Sequence, residues 1–509
     1  MRLALAVAAI VCLVAVARLS VVSARQLASP YDLMYESPNL ATIRAIRSGL
    51  SPYDPAVYAG VPFTLTPYTP LYFYALALLP EAPGRPFLVA RLVSLTAIAA
   101  CALVLACAAR GAQTAAGAAQ RTAARAGRAA PSGAPRPGDS LRTATAALVA
   151  VALFLISWPI SAYAAYLRMD PMALALSALS VLALRQPTPR RVSLAAVLAV
   201  LAVACKQTYL AAGLAGTLYL LCRDRRLAWR FLAVAGGAGA ALAALASLVW
   251  GRGFWFSILV LRSSPVRLDI FRSQAEPQLH APVFVLALLG AAVALVLAWR
   301  RHGASLLGRS PAPAYLLCAT AVLLATLGKE GSSALYFMEL AFALPLWLID
   351  AAPAALPAPR LRAAFLALLL ACTGIDLATS ADHATLHAFP PNSAEREGAW
   401  FAGVRAGLHR AGFDHPRVLN LGPPHYAYGI ADDVCMNDVS TYDQAFEQGA
   451  LDPRPLEQAI RARAYDVVLV STFATPERIA GRPTGPAIEA VRATYRKLWQ
   501  DDAYTFYGR

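Results

Sequence analysis

The 509-residue chain is 58% hydrophobic and 15% charged, whereas soluble globular proteins are about 45–50% apolar and about 25% charged. This composition excludes an ordinary soluble enzyme and indicates a chain that lies largely in a membrane. The net charge is +16, but most arginines stand in short clusters between apolar runs, where they act as topology signals. We therefore predict membrane lipids as surroundings and no nucleic acid as a partner.

Long apolar runs recur from the first residue to about residue 380 and then stop. They predict a polytopic α-helical membrane domain of about eleven spans at 1–380 and a small soluble α/β domain at 381–509. We interpret the first run as a retained span, because no small-x-small cleavage site clearly follows it. The runs lie near residues 3–22, 86–109, 143–160, 171–184, 192–205, 208–222, 229–250, 281–299, 312–328, 333–349 and 362–380.

The basic clusters set the expected orientation. The longest is the low-complexity loop 110–142, which is rich in Ala, Gly, Pro and Arg and is predicted to be disordered. The other four lie within residues 185–191, 223–226, 300–309 and 360–362. With the spans above, all five clusters fall on the side of the N-terminus, which the positive-inside rule makes cytoplasmic. The orientation depends on how the segment 70–80, "PLYFYALALLP", is counted, because one more span would invert the rest of the chain. The segment is too short to cross the membrane and is interpreted as an interfacial or re-entrant helix.

The first loop, residues 23–85, and the domain 381–509 are then both extracytoplasmic. Arginine is used far more than lysine and the spans are rich in alanine, which suggests a GC-rich bacterial genome. We therefore expect a multi-pass protein of the bacterial inner membrane.

Ionisable side chains recur at the expected outer ends of the spans. Both lysines of the membrane domain stand there, where the positive-inside bias disfavours them. Ionisable groups near membrane depth indicate a function, and the alternatives are snorkelling or structural ion pairs. We predict one outward-facing cavity that binds an anionic lipid headgroup. The residues concerned include Arg168, Asp170, Lys206, Lys329 and Glu339.

Four stretches, in this order, resemble the GT-C superfamily of membrane glycosyltransferases. They are an acidic residue after the first span followed by "RAIRSGLSPYDP" and "TPYTPLYFY", then "YLRMDPMALAL", "KQTYL" and "GSSALYFMEL". The chain is similar to dolichyl-phosphate-mannose protein mannosyltransferases and to bacterial lipid A aminoarabinose transferases over about residues 1–380. It departs at Tyr35, where many relatives have the Asp of an Asp-Glu pair, and at Leu335, where they have Asn.

The resemblance implies a glycosyltransferase that moves a sugar from a polyprenyl-phosphate donor to a lipid, glycan or protein acceptor. A carboxylate must take the proton of the acceptor hydroxyl. Glu36 is the first choice for this catalytic base and Asp32 the second. The alternative for Asp32 is a role at the start of a helix.

Cations must stabilise the charge that grows on the departing phosphate. Arg168 and Lys206 are expected to bind the donor phosphate, with Lys329 third. Arginine suits a bidentate grip, and lysine supplies a point charge. Asp170 would either orient Arg168 or cap the next helix.

The substrate pocket is expected to include Tyr68, Tyr72, Tyr336 and Glu339. Tyrosine rings pack against sugar faces, although interfacial anchoring also explains tyrosines at these positions. A glutamate that enters a span needs a partner, for which either membrane-domain lysine would serve. We predict no metal site, because the histidines show no ligand spacing. No cofactor is implied, and a divalent cation beside the carboxylates is left open.

In the C-terminal part, "RVLNLG", "YDVVLVST" and "AYTFYGR" predict strands, and "PLEQAIRARA" predicts an amphipathic helix. Two other functions compete with the transferase. One is a transporter or flippase of a lipid-linked substrate, although the polar groups gather at outer ends rather than at the midplane. The other is an inactive membrane scaffold, which the departure at Tyr35 keeps open.

Overall fold

The computed structural model describes most of the chain. The expected span at 362–380, in large part, and the departure at Tyr35 lie outside the described residues. The described residues are 2–33, 36–125, 137–261, 265–329, 331–355, 364, 367–368, 371–372, 374–375, 393–422, 427–431, 433–472 and 482–509.

Up to residue 355, the described residues form a helical domain. Four of its helical segments, beginning at Leu3, Leu88, Arg225 and Pro282, are long and apolar enough to cross a membrane, and several shorter apolar helices pack among them. The helices are α1 (Arg2–Ala28), α2 (Ser37–Arg47), α3 (Pro55–Tyr58), α4 (Leu71–Ala77), α5 (Leu88–Arg125), α6 (Pro137–Ile156), α7 (Trp158–Tyr163), α8 (Asp170–Leu184), α9 (Pro189–Cys205), α10 (Ala211–Arg223), α11 (Arg225–Trp255), α12 (Leu268–Leu279), α13 (Pro282–His302), α14 (Pro311–Thr326) and α15 (Met338–Ala355).

Small residues let these helices approach one another closely. Helix α9 buries Ala195 and Ala199, and the Ser180 hydroxyl of α8 donates to the Ala195 carbonyl at 2.8 Å. A β-carbon at Gly216 of α10 would lie 2.7 Å from the Phe231 ring of α11. Close approach through Gly, Ala and Ser is the usual way helices associate inside a membrane.

The helix bounds correct one expectation. Helix α5 continues to Arg125 and α6 begins at Pro137, so the described parts of the predicted disordered loop 110–142 are helical. Alanine has the highest helix propensity, and the Ala-rich sequence extends the span beyond its apolar part. The expected short helix within 70–80 is α4, which has seven residues.

The C-terminal domain is built on a five-stranded sheet. Its strands are β1 (Arg417–Leu421), β2 (Asp433–Cys435), β3 (Val467–Ser471), β4 (Arg496–Gln500) and β5 (Tyr504–Gly508), in the order β2-β1-β3-β5-β4. The three strands β1, β2 and β3 are parallel, and β5 is antiparallel to both β3 and β4. The three predicted strands match β1, β3 and β5. The helices are α16 (Ser393–Arg410), α17 (Ala427–Ile430), α18 (Val439–Glu447), α19 (Arg454–Arg461) and α20 (Gly485–Thr494).

The first loop packs directly on the C-terminal domain. The side chain of Asn437 accepts from the Leu65 amide at 2.9 Å and donates to the Leu65 carbonyl at 2.8 Å. The Tyr442 hydroxyl donates to the Tyr58 carbonyl at 2.7 Å. The two segments also share one hydrophobic cluster. They therefore lie on the same end of the helical domain.

Candidate active site

A cavity of about 460 Å³ lies where the helical domain meets the C-terminal domain. We call it the interdomain cavity. The first loop, the segments before α8 and after α9, the turn before α15 and the start of α18 all contribute to its wall. Its lining includes Asn39, Thr42, Tyr68, Trp158, Tyr163, Arg168, Asp170, Lys206, Ser333, Tyr336, Asp438, Ser440, Thr441 and Gln444.

A buried ion pair stands in the wall of this cavity. Lys206 Nζ donates to Asp170 Oδ1 at 2.6 Å, and the two residues are only 4% and 1% exposed. The ammonium lies 4.7 Å from the ring centre of Tyr336 and 6.0 Å from that of Tyr68. Cation–π contact and the carboxylate together keep the lysine charged and directed at the cavity.

The ends of two helices place this pair. Lys206 directly follows the last residue of α9, in extended conformation, and Asp170 is the first residue of α8. Met169 is the N-cap of α8, and the Asp170 carboxylate accepts from Lys206 and Tyr209 instead of capping the helix. Among the described residues its second oxygen, Oδ2, has no hydrogen-bond partner.

Arg168 lies two residues before α8 and also lines the cavity. Its backbone amide donates to the Tyr166 carbonyl at 2.8 Å, which closes a tight turn between α7 and α8. The structure thus brings three of the four predicted phosphate residues, Arg168, Lys206 and Asp170, to one cavity. Lys329 is not among the lining residues, and its backbone pairs with Val266. Its neighbour Glu330 lies outside the described residues.

Glu36 is held away from the cavity. Its carboxylate receives two hydrogen bonds from Arg91, one of them at 3.0 Å. It also accepts from the Leu33 amide at 3.0 Å and from the Leu167 amide at 2.6 Å. These four bonds occupy its acceptor positions, both ionic side chains are fully buried, and Glu36 does not line the cavity. The geometry gives it a structural contact instead of an open position for a base.

Asp32 has the helix-start position that the sequence left as its alternative. Its two carboxylate oxygens accept from the backbone amides of Glu36 at 2.9 Å and Ser37 at 2.7 Å, where α2 begins. Burial, with the nearby Glu36 charge, raises the pKa of Asp32 to about 6. Asp32 does not line the cavity either. Neither predicted base therefore lines the cavity that holds Arg168, Asp170 and Lys206, although Glu36 binds the amide of Leu167, directly before Arg168.

Arg91 is a residue that the sequence reasoning missed. Besides binding Glu36, it donates to the backbone carbonyls of Gln26, Ser29 and Tyr31. These contacts tie the end of α1 and the start of the first loop to α5. One sequence feature could have indicated this role: Arg91 lies inside the apolar run 86–109, where a charged side chain needs partners.

The predicted substrate-pocket residues separate into two groups. Tyr68 and Tyr336 line the cavity, whereas Tyr72 is fully buried against Phe73 and does not. The sequence predicted a lysine as the partner of Glu339. In the structure the Glu339 carboxylate instead accepts a hydrogen bond from the Tyr315 hydroxyl at 3.1 Å.

Glu339 faces a second, smaller cavity of about 10 Å³ behind Tyr336, which Asp170 and Tyr209 also line. That volume has room for about one water molecule. No group of three or more potential metal ligands stands out in the described part of the chain.

The contribution of α18 was also missed. Asp438, Ser440, Thr441 and Gln444 line the cavity from the C-terminal domain. Nothing in the local sequence "NDVSTYDQAF" indicates such a position, because it depends on how the two domains pack.

Comparison with known proteins identifies the fold. No family model matches the chain, and no curated protein matches its sequence. A crystal structure of ArnT from Cupriavidus metallidurans bound to undecaprenyl phosphate has a TM-score of 0.60 at 13% identity, over 97% of this chain and 97% of that one. The chain has the ArnT fold. The apo crystal structure of the same protein matches with a TM-score of 0.57 at 12% identity, again over 97% of both chains.

The chain therefore shares its fold with ArnT, as the resemblance of the sequence motifs implied. The match covers nearly the whole chain, so it extends beyond residues 1–380 into the C-terminal domain. The sequence motifs alone did not reach that far.

Proposed function

We propose that the protein transfers a sugar from a polyprenyl-phosphate donor to a lipid, glycan or protein acceptor on the outer side of the bacterial inner membrane. The observation that carries the proposal is the meeting of Arg168 and Lys206 in one cavity of a chain with the ArnT fold. ArnT from Cupriavidus metallidurans binds undecaprenyl phosphate in one of the two crystal structures compared above.

Two cationic side chains that line the cavity suit a phosphate. Arg168 and Lys206 both line the cavity, and Asp170 holds the Lys206 ammonium in its wall. The guanidinium suits a bidentate grip on a phosphate. When the sugar–oxygen bond breaks, negative charge grows on the departing phosphate, and fixed cations in a partly dry site stabilise it.

Aromatic rings beside these cations suit a sugar. Tyr68, Tyr336 and Trp158 border the same cavity, and flat ring faces pack against the apolar faces of sugars. Since Tyr336 also contacts Lys206, a sugar packed on this ring would lie next to the donor phosphate to which it is bound before transfer.

The expected orientation supports an extracytoplasmic reaction. The first loop and the C-terminal domain pack together around the cavity, and the positive-inside rule applied to the basic clusters favours an extracytoplasmic position for both. The N-terminus would then be cytoplasmic.

The test is transfer of labelled sugar from polyprenyl-phosphate donors by the purified protein in liposomes. We expect transfer by the wild-type protein, a loss of at least about 100-fold in Lys206→Met, and wild-type rates in Lys497→Met. Lys497 is an exposed lysine that binds Gln500 in the C-terminal domain, which makes it a matched control. Absence of transfer with every polyprenyl-phosphate sugar would contradict the proposal and favour the transporter or the inactive scaffold.

A further inference from the structure

The interdomain cavity needs a carboxylate that can take a proton from the acceptor, and α18 carries one. Two carboxylates stand among its described lining residues, Asp170 and Asp438. Asp170 is 1% exposed and holds Lys206, and its Oδ1 also receives the Tyr209 hydroxyl at 3.4 Å. A carboxylate bound to an ammonium is a poor proton acceptor, because protonation would leave that cation unpaired.

Asp438 differs on each of these points. It is half-buried, and no cation of the described residues forms an ion pair with it. We propose that Asp438 is the catalytic base that removes the acceptor's proton, which makes the C-terminal domain a part of the reaction site. This inference rests on the proposed transfer reaction.

The neighbours of Asp438 hold its carboxylate in place and leave room for one more partner. Oδ1 accepts from the Ser440 hydroxyl at 2.7 Å and from the Thr441 amide at 3.3 Å. Oδ2 accepts from the Thr441 hydroxyl at 2.7 Å. A carboxylate has about four acceptor positions, so Oδ2 keeps one for an acceptor hydroxyl. Ser440, Thr441 and Gln444 line the same cavity, and their polar groups suit a hydroxyl-bearing acceptor.

The step is a displacement at the anomeric carbon. The acceptor oxygen forms a bond to that carbon while the bond from the carbon to the phosphate oxygen breaks and its electron pair stays on the phosphate. The hydroxyl proton passes to Asp438 and then to water. The products are the glycosylated acceptor and polyprenyl phosphate, and no oxidant or further reactant is needed. The base and the phosphate residues stand on different domains, so the substrates meet between them.

Substitution at Asp438 separates the chemical role from a structural one. Asp438 is also the N-cap of α18, and asparagine and serine cap helices about as well as aspartate. Asp438→Asn and Asp438→Ser should therefore fold normally but lack the base. The matched control is Asp54→Asn, since Asp54 is an exposed N-cap aspartate that accepts from the Ala56 amide and does not line the cavity.

The experiment measures kcat and KM for sugar transfer and the melting temperature of each variant. We expect both Asp438 variants to lose about 10²–10⁴-fold in kcat, with KM within a few-fold of wild type, and Asp438→Glu to recover part of the rate. Asp54→Asn should match wild type. Wild-type kcat in Asp438→Asn, or a change in the acceptor KM alone, would overturn the inference while leaving the proposed function intact. An inactive wild-type protein would overturn both.

Discussion

The Glu36 carboxylate and the Arg91 guanidinium form an ion pair in which both side chains are fully buried. Two backbone amides complete the acceptor positions of Glu36, and three backbone carbonyls complete the donors of Arg91. All hydrogen-bonding groups of this ion pair have partners, so the pair holds α1, α2 and α5 together. It does not leave a base free to meet a substrate.

Arg91→Met should destabilise the protein strongly, because it leaves the Glu36 charge buried without a partner. Removing one member of a buried ion pair costs about 3–5 kcal/mol. The measurement is thermal unfolding in detergent, with expression level as a second readout. A melting temperature equal to that of wild type would contradict this account of the pair.

Glu36→Gln tests the base predicted from the sequence. We expect a lower melting temperature but transfer within a few-fold of wild type per folded molecule, since Glu36 does not line the cavity. A variant that melts like wild type and loses 100-fold or more in kcat would return the role of base to Glu36.

Lys206→Met should lose both stability and phosphate binding, since Asp170 would remain charged and unpaired in a buried position. Adding Asp170→Asn should restore much of the stability but not the phosphate binding, because the double variant removes the unpaired charge without replacing the cation. Differential scanning fluorimetry and polyprenyl-phosphate binding measure the two effects separately. Recovery of binding in the double variant would show that the lysine acts only through the ion pair.

Tyr336 should act through its ring rather than its hydroxyl. The ring centre lies 4.7 Å from Lys206 Nζ, and a cation–π contact of this kind contributes about 0.5–2 kcal/mol. Tyr336→Phe should therefore keep transfer within a few-fold, whereas Tyr336→Leu should lower kcat/KM about 10-fold. Equal rates in the two variants would argue against a role for the ring.

The junction between the first loop and the C-terminal domain should make stability depend on pH. Burial, with the nearby Asp32 charge, raises the pKa of Glu397 to about 7, and Asp32 has a pKa of about 6. Between their ordinary values and these raised ones, the folded protein holds protons that the unfolded chain has released. The contribution of Glu397 and Asp32 to the free energy of unfolding is therefore greatest below about pH 4. It decreases as the pH rises to about 7 and is constant above that pH.

Glu397→Gln should remove part of this dependence. The variant should melt at a higher temperature than wild type at pH 8 and close to it at pH 4, and Glu395→Gln is the control, since Glu395 is exposed on the same helix. The same difference between wild type and Glu397→Gln at both pH values would contradict the raised pKa.

Continuous apolar runs predicted most of the long helices and the buried strands, because a membrane span or a buried strand needs such a run and the sequence displays it. Arg168, Asp170 and Lys206 were found because ionisable groups at the ends of spans indicate a function, and because the positive-inside bias disfavours cations at the outer ends. The partners of Glu36 were not found, since Arg91 is 55 residues away in sequence and no local pattern joins them. The position of Asp438 depends on domain packing, which leaves no periodic mark in the sequence.

The most direct test of the phosphate site compares the affinities of the protein for polyprenyl phosphate and for the uncharged polyprenol of the same chain length. Wild-type protein in detergent should bind the phosphate at least about 10-fold more tightly, a difference of about 1.4 kcal/mol. The Arg168→Gln/Lys206→Met/Asp170→Asn variant should bind the two lipids equally. Wild-type protein that does not distinguish them, or a variant that still does, would contradict the assignment of this cavity to the donor phosphate.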